Sequence, residues 1–507
     1  MSKKTIVVGA GPGGLAAAMQ LARKGYDVDV YEKQPQVGGR TSKLNLGDYS
    51  FDLGPTFFMM PQVLEEVFER VGRNLYDYVD MREIDPLYTL KFGDVTFQPS
   101  RDVEATAEQI ESLFPGDAAG YRQFLDVEGK KFDRVIQLLR QPFSSFTDFF
   151  TKDMVRALPK LNAFDTVHGR LSKYFNDERL KWAFSFQAKY LGMSPWNCPG
   201  TFTILSFLEH RYGLYHPIGG VNRVCEAMAE VIEEFGGRIH LEEPVERVMV
   251  ENGSASGVVL SDGRTETADD VVINADFGYA INHLFDEQDL TTYKPQKLAK
   301  KKLSCSTFMV YLGIDHPIDL PHHMVLFAED YKRNVDDMTE RQILSDDPSI
   351  YVHNPSQIDP TLAPPGKTAL YMLMPVPNVA SNIDWNEVKQ DLRDDMIRTV
   401  AKESGIDNLE DYIEAEHIIT PADWQDTYHV YQGATFNLAH SLDQMMIFRP
   451  HNQFEDVDHC FLVGGGTHPG SGLPTIFQSA MISVDLLTAQ RGYEQNLIPK
   501  GRVTYDS

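Results

Sequence analysis

Residues 5–40 narrow the possible folds more than any other part of the chain. Thr5-Ile6-Val7-Val8 is a β-branched run suited to a strand buried on both faces. It leads directly into Gly9-Ala10-Gly11-Pro12-Gly13-Gly14, a G-x-G-x-x-G pattern with its glycines at Gly9, Gly11 and Gly14. Leu15 to Lys24 carries Ala and Leu at helical spacing, and Gly25 marks its stop. Asp27 to Tyr31 reads as a second strand with Glu32 at its end. Strand, glycine turn, helix, strand and acid in this order describe a dinucleotide-binding unit. Gly9 permits the tight turn, Gly11 lets a pyrophosphate approach the backbone, and Gly14 lets the helix lie close to the strand. The helix N-terminus turns unpaired N–H groups and a partial positive charge toward phosphate. Glu32 can accept from two ribose hydroxyls, and its charge disfavours a 2′-phosphate. The plainer alternative, a glycine-rich turn in an unrelated α/β domain, does not account for the flanking elements.

A second glycine segment lies near the other end. Phe461-Leu462-Val463 reads as another parallel-type strand and runs into Gly464-Gly465-Gly466-Thr467-His468-Pro469-Gly470-Ser471-Gly472-Leu473-Pro474, with a helix expected from Thr475 to Gln490. Here too backbone can approach a ligand, and a helix N-terminus offers donors to an electron-rich group.

Two stretches carry a family resemblance. Glu32-Lys33 followed by Val37-Gly38-Gly39-Arg40 resembles the FAD-binding amine oxidase and carotenoid desaturase superfamily rather than a nicotinamide dehydrogenase. The G-T-H-P-G-x-G core at Gly466–Gly472 resembles the bacterial-type phytoene desaturase signature. Gly54-Pro55-Thr56 with Met60-Pro61, Ile419 to Trp424, Tyr431-Gln432-Gly433-Ala434 and Phe448-Arg449-Pro450 extend the match over nearly the whole chain. Asp347-Pro348-Ser349-Ile350-Tyr351 and Leu362-Ala363-Pro364 are most similar to the branch acting on C30 dehydrosqualene.

The resemblance implies FAD as cofactor. It places Gly9 to Gly14 (with Ala10, Pro12 and Gly13), Glu32, Lys33, Gly39 and Arg40 at the cofactor, with Arg40 reaching the diphosphate or ribose. Gly54, Pro55 and Thr56 are expected there too. So are Val245, through backbone contacts to the adenine, and Ala275, beneath the cofactor. Gly465, Gly466, Thr467, Gly472, Leu473 and Pro474 complete the set. His468 is the one candidate for a catalytic base, and a purely structural role in the turn is an equal reading. Covalent flavin attachment is not expected.

A chain of 507 residues is too long for one core. The expected fold class is α/β: an FAD-binding Rossmann-like (two-dinucleotide-binding) domain with a mixed sheet and a helical substrate domain. The FAD domain takes residues 1–85, 211–295 and 441–507. The substrate domain takes 86–210, with a helical membrane-facing insert, and 296–440, with the mixed sheet. Two aromatic groups crowd the insert: Phe143, Phe146, Phe149 and Phe150, then Trp182, Phe184, Phe186 and Tyr190. Phe57-Phe58-Met59-Met60 is either ordinary core or part of a hydrocarbon site.

Lys plus Arg is 47 against 73 for Asp plus Glu, a net charge of −26. That argues against nucleic acid and against general adsorption to anionic lipid. The four cysteines form no C-x-x-C pair, and the histidines show one adjacent pair, His322-His323, without helical ligand spacing. No metal is expected. The first strand follows the start so closely that no secretory signal is expected, and no apolar run reaches the ~20 residues that span a bilayer. The expected location is the cytoplasm, with peripheral attachment to the cytoplasmic membrane.

The expected activity is desaturation of a linear polyisoprenoid, phytoene or its C30 analogue, with O2 or a quinone reoxidising the flavin. The alternatives are a carotenoid terminal-methyl oxidase, an isomerase or saturase of the same fold, and a non-catalytic carotenoid-binding flavoprotein.

Overall fold

The computed structural model describes residues 3–157 and 160–492. The end of the expected third cofactor segment, 493–507, lies outside the described residues.

Lys4–Val8 is the middle strand of a five-stranded parallel sheet. Its order is Arg238–His240, Asp27–Tyr31, Lys4–Val8, Asp270–Ile273 and Cys460–Leu462. Three distant stretches of sequence thus supply one sheet. Period-two alternation divides its side chains between two cores. Val7, Val28, Val30 and Val272 face the helices Pro12–Arg23, Asn222–Glu234 and Leu473–Gln490. Ile6, Val8, Val271 and Ile273 face a three-stranded antiparallel sheet, Val245–Glu251, Ser254–Leu260 and Thr265–Thr267. The last helix starts at Leu473 rather than Thr475, because Pro474 falls in its first turn, where a missing N–H removes no helical bond.

A seven-stranded sheet forms the second layer. Its order is Ile413–Ile419, Ser306–Ile314, Thr368–Val376, Ile350–His353, His323–Leu326, Thr89–Phe92 and Val95–Phe97. All neighbours are antiparallel except His323–Leu326 with Thr89–Phe92. Ser306–Ile314 is buried along its whole length. Phe308, Val310 and Leu312 face the helix Trp385–Ser404, whereas Met309 and Tyr311 pack with Tyr49 and Phe51 of the hairpin Lys43–Leu46/Tyr49–Asp52. The helices Val103–Leu113, Ala118–Leu139 and Ile204–Tyr212 belong to the insert. A small antiparallel sheet, Phe58–Met59, Leu214–Pro217 and Met81–Ile84, lies where these parts meet. Among the described residues no helix is long and apolar enough to cross a membrane.

Candidate active site

A cavity of about 1440 Å³ begins at the carboxyl ends of the parallel strands and continues between the insert and the seven-stranded sheet. Ligands of open α/β sheets bind at that end of the strands. The volume exceeds the ~300–1,000 Å³ of an ordinary small-molecule pocket, so the space suits a cofactor together with a long substrate.

The polar end is built from the two glycine turns. Gly9, Gly11, Pro12 and Gly13 line it, as do Gly464, Gly465, Gly466 and Gly472. The helices that follow, Pro12–Arg23 and Leu473–Gln490, have no side-chain cap on their N-termini. Their first-turn N–H groups are therefore left for a ligand. This donor set, with glycine backbone around it, fits a pyrophosphate and an electron-rich ring.

Glu32 is buried, and its two oxygens accept from the N–H groups of Ala10 (2.8 Å) and Gln34 (2.9 Å). Each oxygen keeps a lone pair for a ribose hydroxyl. Burial pushes its pKa up, against the pull of those donors. Lys33 donates to the Thr427 carbonyl (3.0 Å), and burial lowers its pKa to about 8. Arg40 donates to the Thr435 carbonyl (2.7 Å) and to Asp276 (3.2 Å).

Asp276 is the hub of this wall. Its carboxylate also accepts from the backbone of Gly278 and Tyr431 and from the amide of Asn437. Beneath the second turn, the buried Arg449 guanidinium donates to the carbonyls of Gly465 (2.6 Å) and Thr467 (3.2 Å). Its charge sits under the turn without a carboxylate partner in these bonds.

Gly39, Gly54, Pro55, Thr56, Val245, Ala275, Leu473 and Pro474 also line the cavity. Three expected contact residues do not. Ala10 acts through its N–H on Glu32. Gly14 lies below the turn, where a Cβ would stand 2.2 Å from the Gly9 carbonyl oxygen. Thr467 turns inward, and its hydroxyl donates to the Pro450 carbonyl (2.5 Å). Two lining glycines are required by packing rather than by ligand approach. A Cβ would meet the Arg40 carbonyl oxygen at 2.5 Å from Gly54, and the Phe277 Cβ at 2.5 Å from Gly466.

His468 lines the cavity between its polar and apolar parts. Its Nε2 donates to the Gln141 carbonyl (3.0 Å), and burial lowers its pKa to about 3. Its Nδ1 has no partner. It is a neutral ring with one lone pair, and a weak proton acceptor.

The apolar part is walled by Phe57, Met59, Met60, Phe143, Phe149, Phe186 and Tyr190, among others. Of the two readings of Phe57–Met60, each holds for part of the run: Phe58 is core, and the other three face the cavity. The two aromatic groups of the insert also divide. Phe146 and Phe150 are 68% and 81% exposed, while Phe184 is core and Trp182 and Trp196 pack around Tyr331. Phe448 joins the exposed pair in one patch, its ring 6.1 Å from that of Phe146, and also lines the cavity, so the cavity opens at the patch; the exposed Phe164 (99%) and Leu442 line the cavity as well.

Lys189 lines this apolar part, and its amine lies 4.6 Å from the Tyr331 ring centre. Burial lowers its pKa to about 7. Its side chain is only partly covered in the structure, and hydrocarbon filling the cavity that Lys189 lines would keep it desolvated. Nothing in the local sequence singled out Lys189. Asn274 and Asp276 did have a signal: they directly follow a parallel strand at its ligand-binding end.

Fold and site together define a flavin-dependent oxidoreductase. Residues 12–487 match the family described as flavin containing amine oxidoreductase, and the chain belongs to that family. Within it, the chain is a member of the carotenoid desaturases. It is 45% identical to 4,4'-diapophytoene desaturase (4,4'-diapolycopene-forming) of Methylomonas sp, over 96% of this chain and 95% of that one. It is 37% identical to the zeta-carotene-forming phytoene desaturase of Myxococcus xanthus, over 98% and 96%. Cyclohexylamine oxidase from Brevibacterium oxydans IH-35A shares the fold, with a TM-score of 0.61 at 15% identity over 97% of this chain and 100% of that one.

Proposed function

We propose that this chain is an FAD-dependent desaturase of a linear polyisoprenoid hydrocarbon, with the C30 compound 4,4'-diapophytoene as substrate. The observation that carries the reading is a single cavity with a glycine-lined polar end and a long apolar end. The relative at 45% identity supports the C30 choice.

The reaction removes a hydride from an allylic carbon and a proton from the neighbouring carbon, leaving a new double bond. Bound flavin supplies the hydride acceptor. The rest falls to the protein. Gly9, Gly11, Gly13 and the first helix would hold the pyrophosphate, Glu32 the ribose, and Val245 and Ala275 would line the rest of the cofactor site. The turn Gly465–Gly472, with Arg449 beneath the turn, would offer its donors to the electron-rich ring. The apolar walls exclude water and fix which carbons reach the flavin, so positioning supplies much of the rate. The neutral amine of Lys189 takes up the proton. FAD is held without a covalent bond, so acid precipitation leaves the yellow flavin in the supernatant.

The described parts of 1–85, 211–295 and 441–507 form the FAD domain, and those of 86–210 and 296–440 the substrate domain. The patch around Phe146, Phe150 and Phe448 rests on the cytoplasmic membrane, and substrate enters from the bilayer. O2 or a quinone reoxidises the flavin.

The test is pigment analysis in cells that make only 4,4'-diapophytoene or only phytoene. Coloured polyenes in the first strain support the reading. Colour only in the second shifts the substrate to phytoene, and colourless extracts from both point to an end-group oxidase or a carrier.

A further inference from the structure

Behind the cavity wall, Leu214–Pro217 of the small sheet meets the substrate-sheet strands His323–Leu326 and Ile350–His353. His216, His322 and His353 converge there. One ring nitrogen from each lies within 4.8 Å of the other two. All three residues are buried, with His322 at 7% exposure the least so.

The hydrogen bonding at this spot is incomplete. Neither ring nitrogen of His322 or His353 has a partner, and Nδ1 of His216 has none. His216 Nε2 donates to Asp359 (3.0 Å), whose carboxylate is held in turn by the N–H groups of Gly219 (2.7 Å) and Thr361 (2.9 Å). Asp52 lies close enough to act on His216. It accepts from the Val221 N–H (2.6 Å) through one oxygen, and the other is buried without a partner.

The cluster thus gathers unpartnered ring nitrogens from three histidines, with the carboxylates of Asp52 and Asp359 beside it. A cation among them would give those nitrogens a partner.

We propose that His216, His322 and His353 bind a divalent transition-metal ion of the zinc class. Imidazole suits zinc, and a carboxylate on the far nitrogen of a ligating histidine is the usual orienting arrangement. Asp359 supplies it for His216, leaving Nδ1 as the ligand atom. Zinc–nitrogen bonds of about 2.0–2.1 Å need the ring nitrogens closer than they stand, so the rings rotate inward on binding. A water or Nε2 of His323, which has no partner, completes the set.

The ion ties the small sheet to the substrate sheet. It also steadies one wall of the cavity. His323, beside His322, bonds through Nδ1 to the Tyr351 hydroxyl (2.7 Å), and that hydroxyl bonds to Thr56 (2.7 Å) at the cavity. The His323 ring stacks on Phe57 at 4.4 Å. This is a positioning site, and it stands whether or not the substrate is a C30 hydrocarbon. Sequence spacing argued against a metal because the ligands come from two strands and the residue preceding a third, which only the fold brings together.

The test starts with the full-length protein, purified without a polyhistidine tag from zinc-supplemented cells and dialysed against metal-free buffer. Elemental analysis is expected to find about one zinc per chain. Co2+ added to the stripped protein is expected to produce visible d–d bands that saturate at the same ratio. The double variant His322→Gln/His353→Gln should lose both signals while keeping its flavin. If it does not fold, His353→Gln alone is read by the cobalt titration, where weaker binding is expected. Trace zinc with no cobalt bands in the wild-type protein overturns the proposal and leaves a hydrated imidazole cluster. Undiminished metal in a folded double variant overturns it as well.

Discussion

At Gly11 a Cβ would stand 2.8 Å from the Asn274 side-chain nitrogen, and a larger side chain would extend into the cavity that Gly11 lines. Gly11→Val is therefore expected to abolish flavin binding, read as the flavin content of the purified variant. Normal content would remove this turn from the cofactor site. Glu32→Ala should weaken binding less, by about 1–3 kcal/mol for a lost buried hydrogen bond. The upper end is expected, because the same carboxylate fixes the N–H groups of Ala10 and Gln34; fluorescence titration of the stripped protein measures it. Lys189 belongs to the same scale. Burial favours its neutral amine, so the proton-accepting form grows as pH rises through about 7. Activity on lipid-dispersed substrate should rise over that range and level off above it. Lys189→Met should flatten the profile and lower kcat by roughly 100-fold or more. An unchanged profile in that variant would return the proton to another group.

Among the elements, the segment Phe146–Phe150 divides its side chains most sharply. Phe149 lines the cavity, while Phe146 and Phe150 point outward at 68% and 81% exposure. The Phe146 ring lies 6.1 Å from that of Phe448, so residues far apart in sequence form one apolar surface at the mouth. If that surface enters lipid, each phenyl ring adds about 1.5–3 kcal/mol of transfer energy. The double variant Phe146→Ser/Phe150→Ser is expected to lose most of its binding to neutral liposomes while keeping flavin. Full binding by that variant would place the attachment elsewhere. The strand Ser306–Ile314 is the contrasting case. It is buried along its length, so its near-continuous apolar run reflects packing on both faces.

For the molecule as a whole, the net charge of −26 and the apolar mouth act in opposite directions. The charge repels anionic lipid, whereas the patch favours any bilayer. Binding to neutral liposomes is therefore expected to survive high salt, which screens charges and does not weaken burial of apolar surface, and to be lost in detergent. Flotation at low and high salt checks this. Release by salt would mean that a local basic surface makes the contact. No flotation at either salt, with activity retained on dispersed substrate, would return the exposed rings to a role in the cavity mouth alone.

Some of this was legible in the sequence because its causes are local. A glycine turn between a strand and a helix works through the backbone next to it. Gly9, Gly11 and Glu32 could thus be assigned from spacing, as could the second turn at Gly464–Gly472. What spacing could not separate was ligand approach from packing. Gly54 and Gly466 look like cofactor glycines, yet the absence of a Cβ there makes room for Arg40 and Phe277. Only the tertiary structure decided which aromatic residues are core, which are cavity and which are surface, because that depends on partners from other segments. The same holds for Lys189, Arg449 and the three clustered histidines. Their properties come from burial and from neighbours far away in the chain, and those neighbours meet only once the chain has folded.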